Sequence, residues 1–210
     1  MNTVHTGDAK RRILAAAQEL HEKRGLDAVS MRNVAEAVGV VAAAIYRHYR
    51  DKDALIGAMI AAGHGVLETY LREGEKARSD KVLAIMDQFL RFAFDQPGLY
   101  ELMFLRAHGP LRKYPDDFAA GRSPTFNILH RAVTEEIRRK RYRRDDAMET
   151  ALSLWAHAHG LISMYTLGRF TLGPDDFAKL YHRDAQRTLR GIKAPSKTKA
   201  PTKPKRRRSA

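Results

Sequence analysis

Two stretches of this chain carry side chains able to act on another molecule. The first runs from Ser30 to Lys52. Tyr46, Arg47, His48 and Lys52 supply hydrogen-bond donors and positive charge, Arg32 adds a guanidinium upstream, and Val41, Ala42 and Ala43 form a small apolar step before them. Donors and cations of this kind fix a protein on phosphate oxygens, and small apolar side chains can touch the thymine methyl group. The second stretch lies between Phe89 and Met164, where Phe89, Phe92, Met103, Phe104, Phe126, Trp155, His159 and Met164 offer aromatic and sulfur surface. That chemistry suits an apolar small-molecule pocket with a polar group in it. Catalytic chemistry finds little support. The chain has no cysteine, so thiolate nucleophiles, thiolate metal sites and disulfides are excluded. His157 and His159, two apart, fall on different helix faces and are poor joint ligands, so no metal site and no cofactor is expected. Phosphate loops, nucleophile elbows and paired acids are missing too; Asp116-Asp117, Asp145-Asp146 and Asp175-Asp176 fall in loops or at helix starts, where capping explains them.

The first stretch reads as two short helices and a tight turn. Ser30 is a good N-cap, Val34, Ala35 and Val38 make one apolar face, and Gly39 ends the helix because glycine takes the left-handed conformation without strain. A second helix is expected from Val41 to His48, with Ala44 and Ile45 inward. Such a pair forms a helix-turn-helix, whose second helix enters the DNA major groove. A structural hairpin with a basic, solvated face shares this spacing.

The residues after Gly39 separate the two. Ala44-Ile45-Tyr46-Arg47-His48-Tyr49 with Lys52 and Leu55, and upstream Ile13-Leu14-Ala15-Ala16-Ala17 with Leu20, Gly25 and Leu26, resemble the signature of the tetracycline-repressor (TetR) family of bacterial transcription regulators. The resemblance covers residues 8–68 and implies a DNA-binding domain there, with its helix-turn-helix at 30–49. It implies DNA contacts from Ser30, Arg32, Val41, Ala42, Ala43, Tyr46, Arg47, His48 and Lys52, and it places Tyr49 in the core, where the family has a Phe. Val41 stands where the family has a Ser or Thr cap, Ala42 where Pro is common and Ala43 where Gly is common. The missing cap costs about 1 kcal/mol.

The remaining elements are helical, with no strand pattern. Helices are expected over 8–24, from Asp51 to about Glu73, over 79–94 with Ser79 as cap, over Leu99–Leu105, from Ser123-Pro124 to about Lys140, over 145–167 and from Asp175-Asp176 to about Leu189. Arg106 to Gly121 reads as a loop. The expected fold is all-α: a three-helix head and a larger ligand-binding and dimerisation body over 79–192, about nine helices together. No apolar run reaches the roughly 18 residues of a bilayer span, and the polar start Met1 to Asp8 does not read as a signal peptide, so a cytoplasmic protein without membrane contact is expected.

Net charge is +14, but residues 193–210 carry five Lys and three Arg with no acid, in a Pro-, Ser- and Thr-containing tail that cannot bury a core and is expected to be disordered. The first 55 residues hold nine basic and seven acidic side chains. DNA binding is thus argued from motif geometry, not bulk charge. The basic run Arg138 to Arg144 reads as the solvated basic end of a helix, whose dipole it complements, with a second DNA contact as the alternative.

Phe92-Ala93-Phe94-Asp95-Gln96-Pro97-Gly98-Leu99-Tyr100 and Leu154-Trp155-Ala156-His157-Ala158-His159-Gly160-Leu161 resemble a recurrent TetR regulatory domain with a Trp-His-Gly motif. That implies a homodimer in which the last two helices pair with their copies, and a small hydrophobic effector that releases the protein from a palindromic DNA operator. The 145–167 helix is apolar over more than one stripe, with Ala158 and Gly160 small enough for close helix approach, which supports the pairing independently. The alternative is a nonspecific DNA-binding protein driven by the basic tail. An all-helical enzyme would need an acid–base or metal constellation that the sequence lacks.

Overall fold

The computed structural model describes residues 3–106 and 112–195. Among them there are ten α-helices, a short 3-10 turn at Leu26–Ala28 and a π-helical turn at Glu101–Leu105, with no strand. The expected all-α fold holds, with more helical pieces than the nine read from the sequence. Of the tail expected to be disordered, 193–210, the first residues are instead held in place, with the Ala194 N–H on the Arg141 carbonyl and Lys193 paired to Asp80; residues 196–210 lie outside the described residues.

The head comprises α1 (Thr3–Arg24), α2 (Met31–Val38), α3 (Ala42–Tyr46) and the first turns of α4 (Lys52–Glu75). Its core is Ile13, Ala17, Val29, Val34, Ile45, Tyr49, Leu55, Ile56 and Met59, with Leu102 entering from the body. Each boundary has a local cause. The Ser30 hydroxyl accepts from the Asn33 backbone N–H at 3.1 Å and starts α2. Gly39, at φ 75°, ψ 37°, stops it. Asp51 accepts from the Ala54 N–H at 2.7 Å and starts α4.

α4 joins head to body. Its buried positions, Leu55, Ile56 and Met59 in the head and Leu67 and Leu71 in the body, recur about once per turn. The helix is long and apolar enough to cross a membrane by length and composition, contrary to the expectation that no segment would be. Its apolar face is spent on packing two cores. A Cβ at Gly74 would lie 2.8 Å from Ile85 backbone atoms, so glycine is what lets α4 and α5 (Lys81–Asp95) approach so closely.

The body is completed by α6 (Pro97–Tyr100), α7 (Asp116–Ala119), α8 (Pro124–Arg138), α9 (Ala147–Thr166) and α10 (Pro174–Ile192). Pro124 and Pro174 occupy the first turns, where a missing N–H breaks no hydrogen bond. The cap of α5 is Asp80, not Ser79: its carboxylate accepts from the Leu83 N–H at 3.2 Å. The expected loop from Arg106 to Gly121 contains the short helix α7. The expected helix at Leu99–Leu105 is a turn of α6 running into the π turn.

Candidate nucleic-acid interface

α3 is held rigidly from below. Ile45 and Tyr49 are buried in the head core, and the Tyr49 ring lies under the Lys10 ammonium at 5.5 Å. Burial raises the Tyr49 phenol above its ordinary pKa, so it stays a neutral donor. The Arg12 guanidinium reaches the Val38 carbonyl at 3.4 Å, tying α1 to the end of α2.

The opposite face of α3 is open. Val41 is 71% exposed and Tyr46 53%, with Ala43 and Arg47 also exposed and Ala42 and His48 half-buried. Val41 occupies the N-cap position with no side-chain hydrogen bond, as the missing hydroxyl requires. Arg32 is exposed on α2, and Ser30, though committed as a cap acceptor, keeps its hydroxyl proton to donate. Lys52 begins α4, where the helix dipole disfavours a cation. A nearby phosphate would reverse that cost. Val40, 41% exposed beside Val41, completes the apolar step; its place in the turn before α3 hid it from the sequence reading.

In the body, most of the candidate pocket residues converge. Phe89 stacks on Trp155 at 4.9 Å between ring centroids and meets His159 edge-on at 4.6 Å. Phe104 meets His159 at 4.5 Å, and Phe126 meets Trp155 at 6.3 Å. Burial drives the His159 pKa down to about 4, so the imidazole is neutral at pH 7. Three partners were not read from the sequence: Tyr100, whose hydroxyl lies 3.1 Å from the Ser163 hydroxyl, Phe118 against Phe126 at 4.9 Å, and His64 edge-on to Phe104 at 6.2 Å. Two candidates lie elsewhere. Phe92 lies on the neighbouring face of α5 and packs on Tyr70 at 5.7 Å. Met164 is 48% exposed on the outer face of α9, so it lines no interior pocket of this chain. Met103 sits between the groups, its sulfur 2.6 Å from where a Gly63 Cβ would stand.

The π turn carries body side chains to both cores. Leu102 is fully buried in the head, Met103 packs on α4 and Phe104 joins the aromatic cluster. Beside it, His21 of α1 bonds the Gly98 carbonyl at 2.9 Å. Head and body therefore touch at a second place besides α4, through the segment that holds two rings of the cluster.

The outer face of α9 presents Ser153, Ala156, Gly160, Met164 and Leu167 at helical spacing. Ala158, expected in that seam, is buried inside the protomer, whereas Gly160 has open space around it.

A rigid head with a short, exposed second helix, set on a larger helical body, defines a helix-turn-helix DNA-binding regulator. Residues 13–59 match the bacterial regulatory proteins of the tetR family, and residues 82–188 match the tetracyclin repressor-like C-terminal domain. The HTH-type transcriptional repressor Rv1474c of Mycobacterium tuberculosis is 30% identical over 138 residues, covering 65% of this chain and 68% of that one. The nucleoid occlusion factor SlmA of Salmonella dublin is 27% identical over 168 residues, covering 75% of this chain and 83% of that protein. A Rhodococcus sp. RHA1 protein of unknown function has a similar structure, with a TM-score of 0.73, 27% identity and coverage of 91% of this chain and 99% of its own. The chain belongs to the tetR family of bacterial regulatory proteins, and its function is DNA-binding transcriptional regulation.

Proposed function

We propose that the protein is a homodimeric repressor that leaves a palindromic operator when a small hydrophobic ligand enters the body. The observation that carries this reading is the head: α3 is fixed on its inner side by Ile45 and Tyr49 and bare on its outer side. Val41, Ala42 and Ala43 meet base-pair edges at thymine methyl groups. Tyr46, Arg47, His48 and Lys52 hold phosphates, with Ser30 and Arg32 contributing from α2 and its cap. The small-residue seam on α9, continued by Met164 and Leu167, is the centre of the dimer interface, which would set the two heads at half-site spacing of about 34–36 Å. The likeness to a curated repressor supports the sign of regulation.

Phe89, Phe104, Phe126, Trp155 and His159 bound the ligand site, with Tyr100 and His64 added. The ring separations of the cluster leave the rings in direct contact, so a ligand must part them. Parting moves Tyr100 and Phe104, and with them the π turn whose Leu102 sits in the head core. A ligand shifts the heads only if it binds the displaced arrangement better.

Fluorescence anisotropy on a duplex enriched from a random library tests the head assignment. Tyr46→Ala/Arg47→Ala is expected to weaken binding at least tenfold and lower the salt slope by about 1 per head. Unchanged affinity and slope would remove these residues from the interface. A thermal-shift screen of apolar compounds, followed by anisotropy, tests release; if every stabilising compound leaves DNA affinity untouched, the ligand-release reading fails.

A further inference from the structure

We propose that the pole of the body farthest from α3 is a second DNA-binding surface, a cationic cleft that holds the phosphodiester backbone of a duplex other than the one held by the heads. α4 leaves the head core at Met59 and ends beyond Gly74, which packs on Ile85 near the start of α5. Its 24 residues span about 36 Å at ~1.5 Å per residue. At this far end the α5 cap, Asp80, meets the Tyr142 hydroxyl at 3.4 Å and the Lys193 ammonium at 3.1 Å.

The loop after α8 is built to point cations outward. Tyr142 is buried, and Arg141 turns inward onto the carboxylate of Glu136, itself 3% exposed. Lys140 takes the left-handed conformation, φ 59°, a strained choice for a side chain larger than glycine. The root of the tail is stitched alongside: the Arg143 N–H donates to the Ile192 carbonyl and the Ala194 N–H to the Arg141 carbonyl, both at 2.9 Å. A cleft of about 550 Å³ results, lined by Arg138, Lys140, Arg143 and Arg144 with Ile137, Tyr142, Ala194 and Pro195. The lining holds four cations and no carboxylate. Arg138 shares Glu135 with Arg139, while Lys140, Arg143 and Arg144 make no ion pair among the described residues.

Arg143 and Arg144 also stand just before the N-terminus of α9, the end of a helix that disfavours cations. Both are exposed and make no ion pair among the described residues, a placement that suits an anionic partner. Continuity with the tail makes a polymer the fitting partner. Pro195 lines the cleft, and the sequence from 196 to 210 adds four Lys and three Arg with no acid. Such an array matches a backbone with a charge about every 1.7 Å better than it matches one phosphate. A membrane surface fits poorly. The large exposed apolar side chains of the described residues, Val40, Val41, Tyr46, Tyr114, Met164, Leu167 and Leu172, all lie outside this loop, which leaves no anchor for an interface.

The test uses the full chain and a random-sequence duplex, read by anisotropy across a salt series. Lys140→Gln/Arg143→Gln/Arg144→Gln is expected to lose about tenfold in affinity at low salt and about 2 to 3 in slope per protomer, with helicity and oligomeric state unchanged. Tyr46→Ala/Arg47→Ala should retain this binding through the cleft but join two differently labelled duplexes less well than wild type, because its heads hold DNA poorly. Arg143→Lys/Arg144→Lys should behave as wild type, which separates charge from loss of fold. A triple variant that binds and bridges as wild type does overturns the proposal, whatever the heads do. So does wild-type capture of phosphatidylserine vesicles, lost in the triple variant, with no change on DNA.

Discussion

Val41 shows how one side chain trades stability for a bare surface. It sits at the N-cap of α3, 71% exposed, and leaves the first N–H groups of the helix without a side-chain acceptor. Val41→Ser is expected to raise unfolding free energy by about 0.5–1 kcal/mol in a denaturant titration, since the valine makes little contact to lose. His159 makes the opposite trade, a polar ring in an aromatic shell. Its folded pKa of about 4 lies below the ordinary imidazole value of 6.5, so between those values the unfolded chain takes the proton more readily. Stability from this group is complete above about pH 6.5 and falls as pH drops toward 4. His159→Phe should abolish about 2 kcal/mol of that fall, measured as the difference between denaturant midpoints at pH 7 and pH 4.5. Asp87, pushed up by burial and pulled down by its His182 partner to a net rise, works in the opposite direction and is common to both proteins. Equal midpoint shifts in the two would refute the burial of His159. At this scale the sequence was most legible where chemistry is local: Ser30, Gly39 and Asp51 each act on backbone within four residues. Asp80 was missed because two oxygen-bearing residues stand side by side, and the choice is made by Tyr142 and Lys193, distant in sequence.

Among the elements, the π turn at Glu101–Leu105 departs furthest from what periodicity can show. Leu102, Met103 and Phe104 are consecutive and share no helix face, so spacing alone could not say which core each would enter; the structure sends them to the head, α4 and the aromatic cluster. Leu102→Ala is expected to cost about 2–5 kcal/mol. Hydrogen exchange should show the loss concentrated in α1 and the start of α4; a loss spread evenly over the body would contradict the placement of Leu102. α9 marks a second limit of the period argument. It is apolar around much of its circumference, so spacing alone could not say that Ala158 faces inward and Met164 outward. Phe89 and Phe92 likewise fall on neighbouring faces of α5, and only the positions of Trp155 and Tyr70 decide which ring joins the cluster.

For the whole molecule, the decisive quantity is how two heads are spaced. A side chain added at Gly160 would meet nothing within 4 Å among the described residues beyond its own helix. Gly160→Glu should therefore leave the protomer folded by circular dichroism and raise the dimer dissociation constant at least tenfold in sedimentation velocity; an intact dimer would move the interface off α9. The most direct measurement of the central claim is selection of duplexes from a random library by the full-length protein. The account predicts enrichment of a two-fold symmetric site whose half-sites lie about 34–36 Å apart, bound by one dimer. A pool that remains random after selection, bound by monomers as tightly as any chosen sequence, would contradict it.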